Sequence, residues 1–395
     1  MSAGKVREIV LRQRGAADRV AHGHPWIWRE SIASGLEGAS AGEEAQVIGP
    51  DGAAVGRGIV DPTCPIAVRV WTAGREPVDD ALWATRTSHA FRLRKTLFNG
   101  TRTDAYRLLH GEGDRMPGMV VDRYGSVAVI RSDGPAATAR IADLVNALRP
   151  QTVGHGIRTL VARTGGKGEV PHLELVAGEP PPDHVKVEEY GVPFVVDLAR
   201  GQKTGAFLDQ RENRRRVGEL AKGRRMLNLF AYAGGFSLHA VVGGAIHVTS
   251  VDIAAAAHAT AQASFRAAGV DPSAHAFVTA DVTGFLEAAR KRGESWDLVV
   301  SDPPSFAPSE RALPRALSAY RSLHRACVGV LAPGGLFCAA SCSSHVDAST
   351  FLSTLDDLAL GTRRLVVTEL RGAGPDHPTL AAFPEGRYLK FAMLA

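Results

Sequence analysis

The second half of this chain alternates short apolar runs with helical segments, and that alternation constrains the fold more than any other feature. Helices fill the gaps between the runs, and the alanine-rich segment 254–268 is the clearest of them. Such alternation predicts an α/β fold with a parallel, doubly wound sheet. No helix separates the last two runs, which predicts a final hairpin that adds an antiparallel strand. The predicted strands are residues 226–232, 247–252, 276–281, 297–301, 335–341, 364–370 and 387–394.

Two segments of different pattern precede this region. Residues 1–74 contain short alternating runs broken by turns, which predicts a small β-barrel. Residues 75–185 combine an amphipathic helix at 78–98 with several strands and a second helix, which predicts a compact α+β domain. The proline-rich stretch 178–183 is the best linker candidate, so residues 186–395 form the third predicted domain.

Composition sets broad limits on function. The formal net charge of +5 and pI of about 9.1 permit nucleic-acid binding without requiring it. The four cysteines have no metal-type spacing, so we expect reduced thiols and no metal site. The sequence has no apolar run of about 18 residues, the length of a membrane helix, and no apolar signal core near its start. We therefore expect no membrane association and a cytoplasmic location.

An acid and a thiol follow two consecutive predicted strands. Asp302 begins the stretch DPPSF after the run 297–301, and Cys342 follows the run 335–341. Open α/β sheets bind ligands at the carboxyl ends of their strands, so we expect these two side chains to share a site. A thiolate that adds to C6 of a cytosine makes C5 reactive toward a methyl donor, and an acid at N3 assists the addition. The simpler interpretations are a solvated acid in a stiff turn and a small buried thiol.

A glycine turn and two aspartates indicate a nucleoside cofactor. The strand at 226–232 runs into Gly234 and Gly235, and Asp252 ends the next strand. A carboxylate at that place accepts hydrogen bonds from ribose hydroxyls of a dinucleotide or of S-adenosylmethionine. The pyrophosphate fingerprint GxGxxG is absent, which favours S-adenosylmethionine. Asp281 ends the third strand and is placed to meet the adenine amino group, although both aspartates also suit helix caps.

A basic segment lies just before the sheet. Residues 201–214 read as an irregular loop followed by a helix that begins near residue 209, and arginines close this stretch. A solvated basic helix is one interpretation of these arginines. In a nucleic-acid site, Arg211, Arg214 and Arg215 would instead supply phosphate contacts.

Taken together, these stretches resemble a family across essentially the whole chain. The family is that of the PUA-domain-containing, S-adenosylmethionine-dependent 5-methylcytosine methyltransferases of bacterial 23S ribosomal RNA. The matching stretches are HGHPWIW (22–28), RLLHGEGDRMPGMVVDRYG (107–125), GQKTGAFLDQRENR (201–214), LNLFAYAGGFSLHA (227–240), DPPSF (302–306), SCS (341–343) and DHPTLAAFPEGRYLK (376–390).

The resemblance implies a fold, a cofactor and a set of roles. It implies an N-terminal PUA barrel, a central α+β domain and a Rossmann-like methyltransferase domain, with 23S ribosomal RNA as the partner and a homodimer as the assembly. Cys342 would be the covalent nucleophile and Asp302 its acidic partner. The residues implied to surround S-adenosylmethionine are Lys203, Thr204, Gly205, Asn228, Phe230, Gly234, Asp252, Asp281 and Asp302.

One position departs from the pattern of many RNA cytosine-C5 enzymes, and two other functions stay open. Those enzymes carry a second cysteine after the motif-four proline, where this chain has Ser305. Product release therefore cannot use that thiol, and the base that removes the C5 proton is unassigned, with Asp376 and His377 as weak candidates. The alternatives are a guanine-N methyltransferase acting on ribosomal RNA, which needs no thiol, and a non-catalytic RNA-binding assembly factor.

Overall fold

The N-terminal domain is a curved, six-stranded sheet. The structure, a computed structural model, describes residues 6–165, 172–361 and 363–395. The edge strands β2 and β3 are joined by only Arg29–Ser31 although they lie at opposite ends of the order β2-β6-β5-β4-β1-β3, so the sheet must curl back on itself. The elements are β1 (Arg7–Leu11), α1 (Arg14–Ala21), β2 (Trp26–Trp28), β3 (Ile32–Ser34), β4 (Glu44–Ile48), β5 (Ala54–Val60) and β6 (Ile66–Ala73).

The central domain packs two helices against a five-stranded sheet. The strand order is β11-β10-β9-β8-β7, and only the β9–β10 pair is parallel. The long helix α2 begins at the Asp79 cap, whose carboxylate accepts the Leu82 N–H at 2.9 Å. The elements are α2 (Asp80–Phe98), β7 (Ala105–His110), β8 (Met119–Tyr124), β9 (Val127–Ser132), α3 (Pro135–Thr138), α4 (Ile141–Thr152), β10 (Thr159–Thr164) and β11 (His172–Gly178).

A hairpin joins the central domain to the third domain. Strands β12 (His184–Glu189) and β13 (Val192–Asp197) follow the predicted linker at 178–183. Their side chains contribute to two apolar clusters, one with Tyr124 of the central domain and one with Phe265 of the third domain. The boundary drawn between residues 185 and 186 therefore cuts through β12, and the linker itself is the better division.

The third domain is a seven-stranded sheet covered by helices on both faces. The order is β16-β15-β14-β17-β18-β20-β19, in which β14 to β18 are parallel and β20 runs antiparallel to both of its neighbours. The α/β fold class and the antiparallel final strand are confirmed. The elements are α5 (Arg211–Leu220), β14 (Arg225–Leu229), α6 (Gly235–Val242), β15 (His247–Asp252), α7 (Ala255–Ala267), β16 (Ala276–Thr279), α8 (Val282–Lys291), β17 (Trp296–Ser301), α9 (Leu313–Gly329), β18 (Leu331–Ser341), α10 (Ala348–Leu352), α11 (Asp357–Leu360), β19 (Val367–Arg371) and β20 (Lys390–Leu394).

Strand β17 shows why this sheet lies in the middle of the domain. Leu298, Val299 and Val300 are each fully buried. Their side chains alternate between two apolar clusters, with Val299 on the face covered by α8 and α9 and its neighbours on the opposite face. Burial of each such side chain stabilises the fold by about 1.5–3 kcal/mol. The chain leaves this buried strand at Asp302, which fixes where that acid lies.

The loop 372–389 between β19 and β20 contacts both of the other domains. Its Phe383 ring lies 4.6 Å from that of Trp26 in the N-terminal domain, edge to face. Its Pro378 carbonyl lies so close to Gly113 of the central domain that a Cβ at that position would clash with it. A buried set of charges, which we call the interdomain ion cluster, anchors the same loop. The cluster consists of Arg94, Arg107, Asp114, Asp122, Arg211 and Asp376.

Candidate active site

Asp302 lies at the carboxyl end of β17, as predicted, and is partly exposed. Its Oδ2 accepts a hydrogen bond from the Gln210 side-chain amide at 3.0 Å. Burial raises the pKa of Asp302 to about 7, and the negative charge of Asp209 adds to this effect while Lys203 opposes it. Since a carboxyl group with such a pKa is about half protonated at pH 7, a substantial fraction of Asp302 can donate a proton to a substrate.

Cys342 lies at the end of the adjacent strand β18, and its side chain is partly exposed. The pairing of Ser301 with Ala339 shows that β17 and β18 end side by side. Burial raises the pKa of the Cys342 thiol, and the negative charge of Asp302 adds to the rise, whereas Lys203 opposes it. The structure thus brings the two predicted catalytic residues to one edge of the sheet, close enough for their charges to interact.

Hydroxyl groups join the two loops that carry these residues. The Ser343 hydroxyl lies 3.0 Å from the Ser305 hydroxyl and 3.0 Å from the Tyr320 hydroxyl. It also accepts the Ala307 backbone N–H at 3.4 Å. Ser305 therefore has a structural role here: it fixes the Asp302 loop to the Cys342 loop.

Lys203 and Asp209 form a charged pair beside this edge. Their side chains lie 2.7 Å apart, and Lys203 has a left-handed backbone with φ 54°. Asp209 is almost fully buried, and its Oδ2 also accepts the Tyr388 hydroxyl at 2.6 Å. Although burial raises the pKa of Asp209, the charges of Lys203 and His377 hold it far below the usual value. Asp209 is thus a fixed negative charge next to the titratable Asp302.

The turn after β14 has the backbone shape that the glycine pattern predicts. Phe230, Tyr232 and Gly234 all have positive φ values, of 56°, 47° and 72°. A Cβ at Gly234 would lie only 2.9 Å from the Ala261 side chain of α7, so helix packing also requires this glycine. The turn points the Tyr232 N–H at Asp252 Oδ2, at 2.7 Å.

Asp252 is placed to bind a nucleoside. It ends β15 and stays partly exposed, and its Oδ1 accepts the Ala254 N–H at 2.8 Å. Each carboxylate oxygen keeps a lone pair for a further donor, as recognition of ribose hydroxyls requires. Asp281 ends the following β-to-α connection and is exposed, but its Oδ1 also caps α8 through the Gly284 N–H at 2.9 Å. These carboxylate acceptors fit the ribose hydroxyls and the adenine amino group of an S-adenosyl ligand.

Three other residues that were expected near the cofactor have structural roles instead. Thr204 is buried and donates to Asp122 of the central domain at 2.6 Å. Asn228 is buried within the sheet and donates to Ser237 at 2.9 Å. Gly205 faces the Val196 side chain, which a Cβ would approach to 2.6 Å. All three residues are buried, so their side-chain positions are not open to a ligand in this structure.

The prediction that Arg211 and Arg214 contact RNA is wrong, because both guanidinium groups are buried. Arg211 pairs with Asp376 through two contacts of 2.8 Å. Arg214 is held by two hydrogen bonds to the Glu189 carboxylate. Arg215 differs: half of its side chain is exposed, and its guanidinium stacks 4.4 Å from the Tyr190 ring centre. RNA contact therefore stays a prediction for Arg215 alone.

The sequence reasoning missed four side chains at this edge: Asp209, Gln210, Tyr388 and Lys390. All four fall in stretches that carry the family resemblance, 201–214 and 376–390, which was the available signal. The suggested base Asp376 is a poor candidate. Burial raises its pKa, but His377 and Arg211 outweigh that effect and hold it well below the usual value, with both carboxylate oxygens occupied.

The described part of the chain offers neither a metal site nor a membrane helix. In the described ranges, no three His, Cys, Asp or Glu side chains form a group that could bind a metal ion. None of the described helices combines the length and the apolar character that crossing a bilayer requires.

The sheet order, the glycine turn with Asp252 and the strand-end acid define a Rossmann-type, nucleoside-binding transferase. Comparison with known families agrees. Residues 154–381 match the model of the S-adenosylmethionine-dependent methyltransferases, and residues 9–73 match a PUA-like domain. The chain belongs to this S-adenosylmethionine-dependent methyltransferase family and carries an N-terminal PUA-like domain. Its cofactor is S-adenosylmethionine, as predicted.

Full-length relatives and solved structures share this organisation. The "Ribosomal RNA large subunit methyltransferase" of Deinococcus radiodurans is 38% identical over 405 residues, covering 99% of this chain and 98% of that protein. The "Ribosomal RNA large subunit methyltransferase I" of Photobacterium profundum is 36% identical, covering 98% and 96%. A putative methyltransferase, SMU.776, crystallised with SAH, superposes with a TM-score of 0.87 at 22% identity, covering 99% of this chain and 100% of that one.

Proposed function

We propose that this protein transfers a methyl group from S-adenosylmethionine to C5 of a cytosine in 23S ribosomal RNA through a covalent Cys342 adduct. The observation that carries this proposal is the pairing of an acid and a thiol at adjacent strand ends. Asp302 has a pKa of about 7 and lies beside Cys342, whose own pKa responds to the charge of Asp302. A nitrogen methyltransferase has no need of that thiol.

The chemistry follows from these two groups. The Cys342 thiolate forms a bond to C6 while neutral Asp302 delivers its proton to N3. The C5–C6 π electrons move to C4–C5 and the C4–N3 π electrons bind the proton at N3, which leaves an enamine at C4 and C5. Bound S-adenosylmethionine supplies the electrophilic methyl group that C5 takes up. A base then removes the C5 proton. The N3 proton returns to the Asp302 carboxylate, the C5–C6 double bond forms again and the Cys342 thiolate leaves.

Access to the base requires a flipped nucleotide. The acid and the thiol lie at adjacent strand ends and are only partly exposed, so a base stacked in a helix could not present N3 and C6 to them. Enzymes that act on a base extrude it from the stack. The N-terminal PUA-like domain and the names of the relatives support ribosomal RNA as the polymer that presents this base.

A mechanism-based trap tests the covalent step. RNA that carries 5-fluorocytidine at the target should form an SDS-stable adduct in the presence of S-adenosylmethionine, because fluorine cannot leave C5 as a cation. Cys342→Ala should abolish the adduct while S-adenosylmethionine binding by calorimetry persists. Cys64→Ala, which removes the other partly exposed cysteine, should leave adduct formation intact.

Nucleoside mass spectrometry identifies the product. Ribosomal RNA from a deletion strain should lose one 5-methylcytosine, and a plasmid copy of the wild type should restore it whereas the Cys342→Ala copy should not. Loss of a methylguanosine instead would establish the guanine-N alternative. Unchanged RNA together with no affinity for S-adenosylmethionine would favour a non-catalytic assembly factor.

A further inference from the structure

Lys390 is a buried lysine next to the catalytic cysteine loop. It is the first residue of β20 and is only 3% exposed. In the β18–β20 ladder it lies directly opposite Ser341, the residue before Cys342. Burial of an ammonium group costs several kcal/mol unless charges or hydrogen bonds compensate it. A lysine retained in such a position therefore needs a reason.

Its hydrogen bonds account for only part of that cost. The Nζ donates to the Ser343 carbonyl at 2.6 Å and to the Tyr388 carbonyl at 2.7 Å. An ammonium group has three donors, so one remains. Within the described part of the chain, Lys390 forms no salt bridge with a carboxylate. Its direct partners are thus two neutral carbonyl groups, one of which belongs to the residue after Cys342.

The charges around Cys342 make this lysine important. Asp302 and Asp209 both raise the pKa of the thiol, so they oppose the thiolate. Lys203 favours the thiolate, but its ammonium already pairs with Asp209 at 2.7 Å, and its side chain is 30% exposed. The compensating charge that the partly buried thiolate requires must therefore come largely from elsewhere, and Lys390 lies on the opposite side of the same loop.

We propose that Lys390 is a positioning residue for Cys342: its ammonium group holds the 341–343 loop through the Ser343 carbonyl, and its charge stabilises the thiolate when it forms and when it leaves C6. The proposal rests on the proposed function, because it takes Cys342 as the nucleophile. Lys390 touches neither the base nor the cofactor in this mechanism. It acts through the cysteine.

The electrostatics of Lys390 agree with this role. Burial lowers its pKa to about 8, and the negative charges of Cys342 and Asp347 oppose the fall. Lys390 is thus mostly protonated at neutral pH and loses its charge only in mildly alkaline solution. The charged groups that face this loop are Asp302, Asp209 and Lys203 on the substrate side, and Lys390 and Asp347 on the other.

Alkylation of Cys342 by iodoacetamide measures the thiolate without RNA or S-adenosylmethionine. The thiolate sulfur bonds to the methylene carbon and iodide leaves, so the rate at each pH reports the ionised fraction. Peptide mass spectrometry separates Cys342 from Cys64. Lys390→Met should raise the apparent pKa of Cys342 by about one unit, which lowers the alkylation rate at pH 7.5 about tenfold. Lys291→Met, at an exposed position ending α8, is the matched control and should change nothing.

Two further variants separate the effect of the Lys390 charge from that of its hydrogen bond to the Ser343 carbonyl. Lys390→Gln keeps a donor for the Ser343 carbonyl without the charge, so it should show the same rise as Lys390→Met. Lys390→Arg keeps the charge at every accessible pH, so its profile should lack the inflection near pH 8 that we expect of the wild type. The arginine variant decides the question if the neutral variants do not fold, as judged by circular dichroism.

The outcomes distinguish this inference from the proposed function. A wild-type pH profile in folded Lys390→Met, or in folded Lys390→Arg, would overturn the inference and leave the 5-methylcytosine assay untouched. A shifted profile with no 5-methylcytosine product from the wild type would instead overturn the proposed function. Support for both requires the shifted profile together with a fall of about tenfold in the methylation rate at neutral pH.

Discussion

Asp302 and Asp376 are both buried or partly buried carboxylates, but their surroundings differ completely. Asp376, in the interdomain ion cluster, is 0% exposed and receives two hydrogen bonds from Arg211 and one from the Arg107 backbone. Asp302 receives one hydrogen bond, from the neutral amide of Gln210. The first acid is ionised at all physiological pH values, whereas the second has a pKa of about 7.

The difference separates structural from catalytic use of the same group. Paired carboxylates such as Asp376 hold domains together because removal of one partner leaves an uncompensated charge. An acid left without a cation cannot supply that stability, but it keeps a proton that it can deliver near neutral pH. The carboxylate charge is thus compensated at Asp376 in the interdomain ion cluster, whereas at Asp302 on the sheet edge it is left uncompensated.

The largest expected effect is on catalysis at the uncompensated acid. Asp302→Asn keeps the shape of the side chain but cannot deliver a proton to N3, so we expect kcat to fall by about 10²–10⁴-fold. Single-turnover methylation of the RNA substrate measures this fall. Unchanged affinity for S-adenosylmethionine would show that the site is intact, and a near-wild-type rate would show that Asp302 is not the acid.

Substitutions in the interdomain ion cluster should instead lower the free energy of unfolding. Arg211→Met leaves Asp376 buried without its cation, so the free energy of unfolding should fall by about 3–5 kcal/mol. Urea denaturation measured by fluorescence and circular dichroism checks this. A loss below about 1 kcal/mol would mean that the cluster is no stronger than a surface ion pair.

The pH dependence of stability should carry opposite signs for the two acids. The folded pKa of Asp302, about 7, lies above its unfolded value, so its contribution is present at acid pH and is lost as the pH rises toward 7. The folded pKa of Asp376 is depressed, so its contribution is present at neutral pH and is lost in acid. Asp302→Asn should therefore flatten the decline between about pH 4 and 7, by at most about 1.4 kcal/mol per pH unit. Denaturation at a series of pH values tests this, and an unchanged slope would contradict it.

The smallest effect belongs to an exposed ion pair between the segment that follows α2 and strand β12. Arg102 and Glu188 lie 2.7 Å apart, but the arginine side chain is 73% exposed. Arg102→Met should change the free energy of unfolding by less than about 1 kcal/mol in the urea assay. It is the control for Arg211→Met, and a loss equal to that of the buried variant would remove the contrast between the two pairs.

The sheet and its strand-end residues were predictable because they depend on local pattern. Strand β15 was predicted at its observed bounds, and the apolar run of β17 placed Asp302 correctly. The burial of Arg211 was not predictable, because its partner Asp376 lies 165 residues away along the chain. Charge patterns within a helix show which residues are basic, but not whether a residue distant in sequence forms a buried ion pair with them.

The role of Lys390 was also out of reach of the sequence. Its proximity to Cys342 depends on the register of β20 against β18, which pairs Lys390 with Ser341. That register follows from the path of the long loop 372–389 and its anchors in two other domains. From sequence alone, a lysine at the start of an apolar strand suggests only that the end of the strand is exposed to solvent.

The position of β20 has a consequence for how the protein is made. This strand follows every other described element in the chain, yet it lies between β18 and β19 in the sheet. On the ribosome, β18 and β19 therefore emerge with a gap between them, and the gap is filled only when residues 390–394 leave the exit tunnel. Tyr388 and Lys390 arrive with that strand, so the catalytic edge is completed only after every other described element has been synthesised. A chain that stalls before residue 390 would retain a PUA-like domain while lacking a finished catalytic centre.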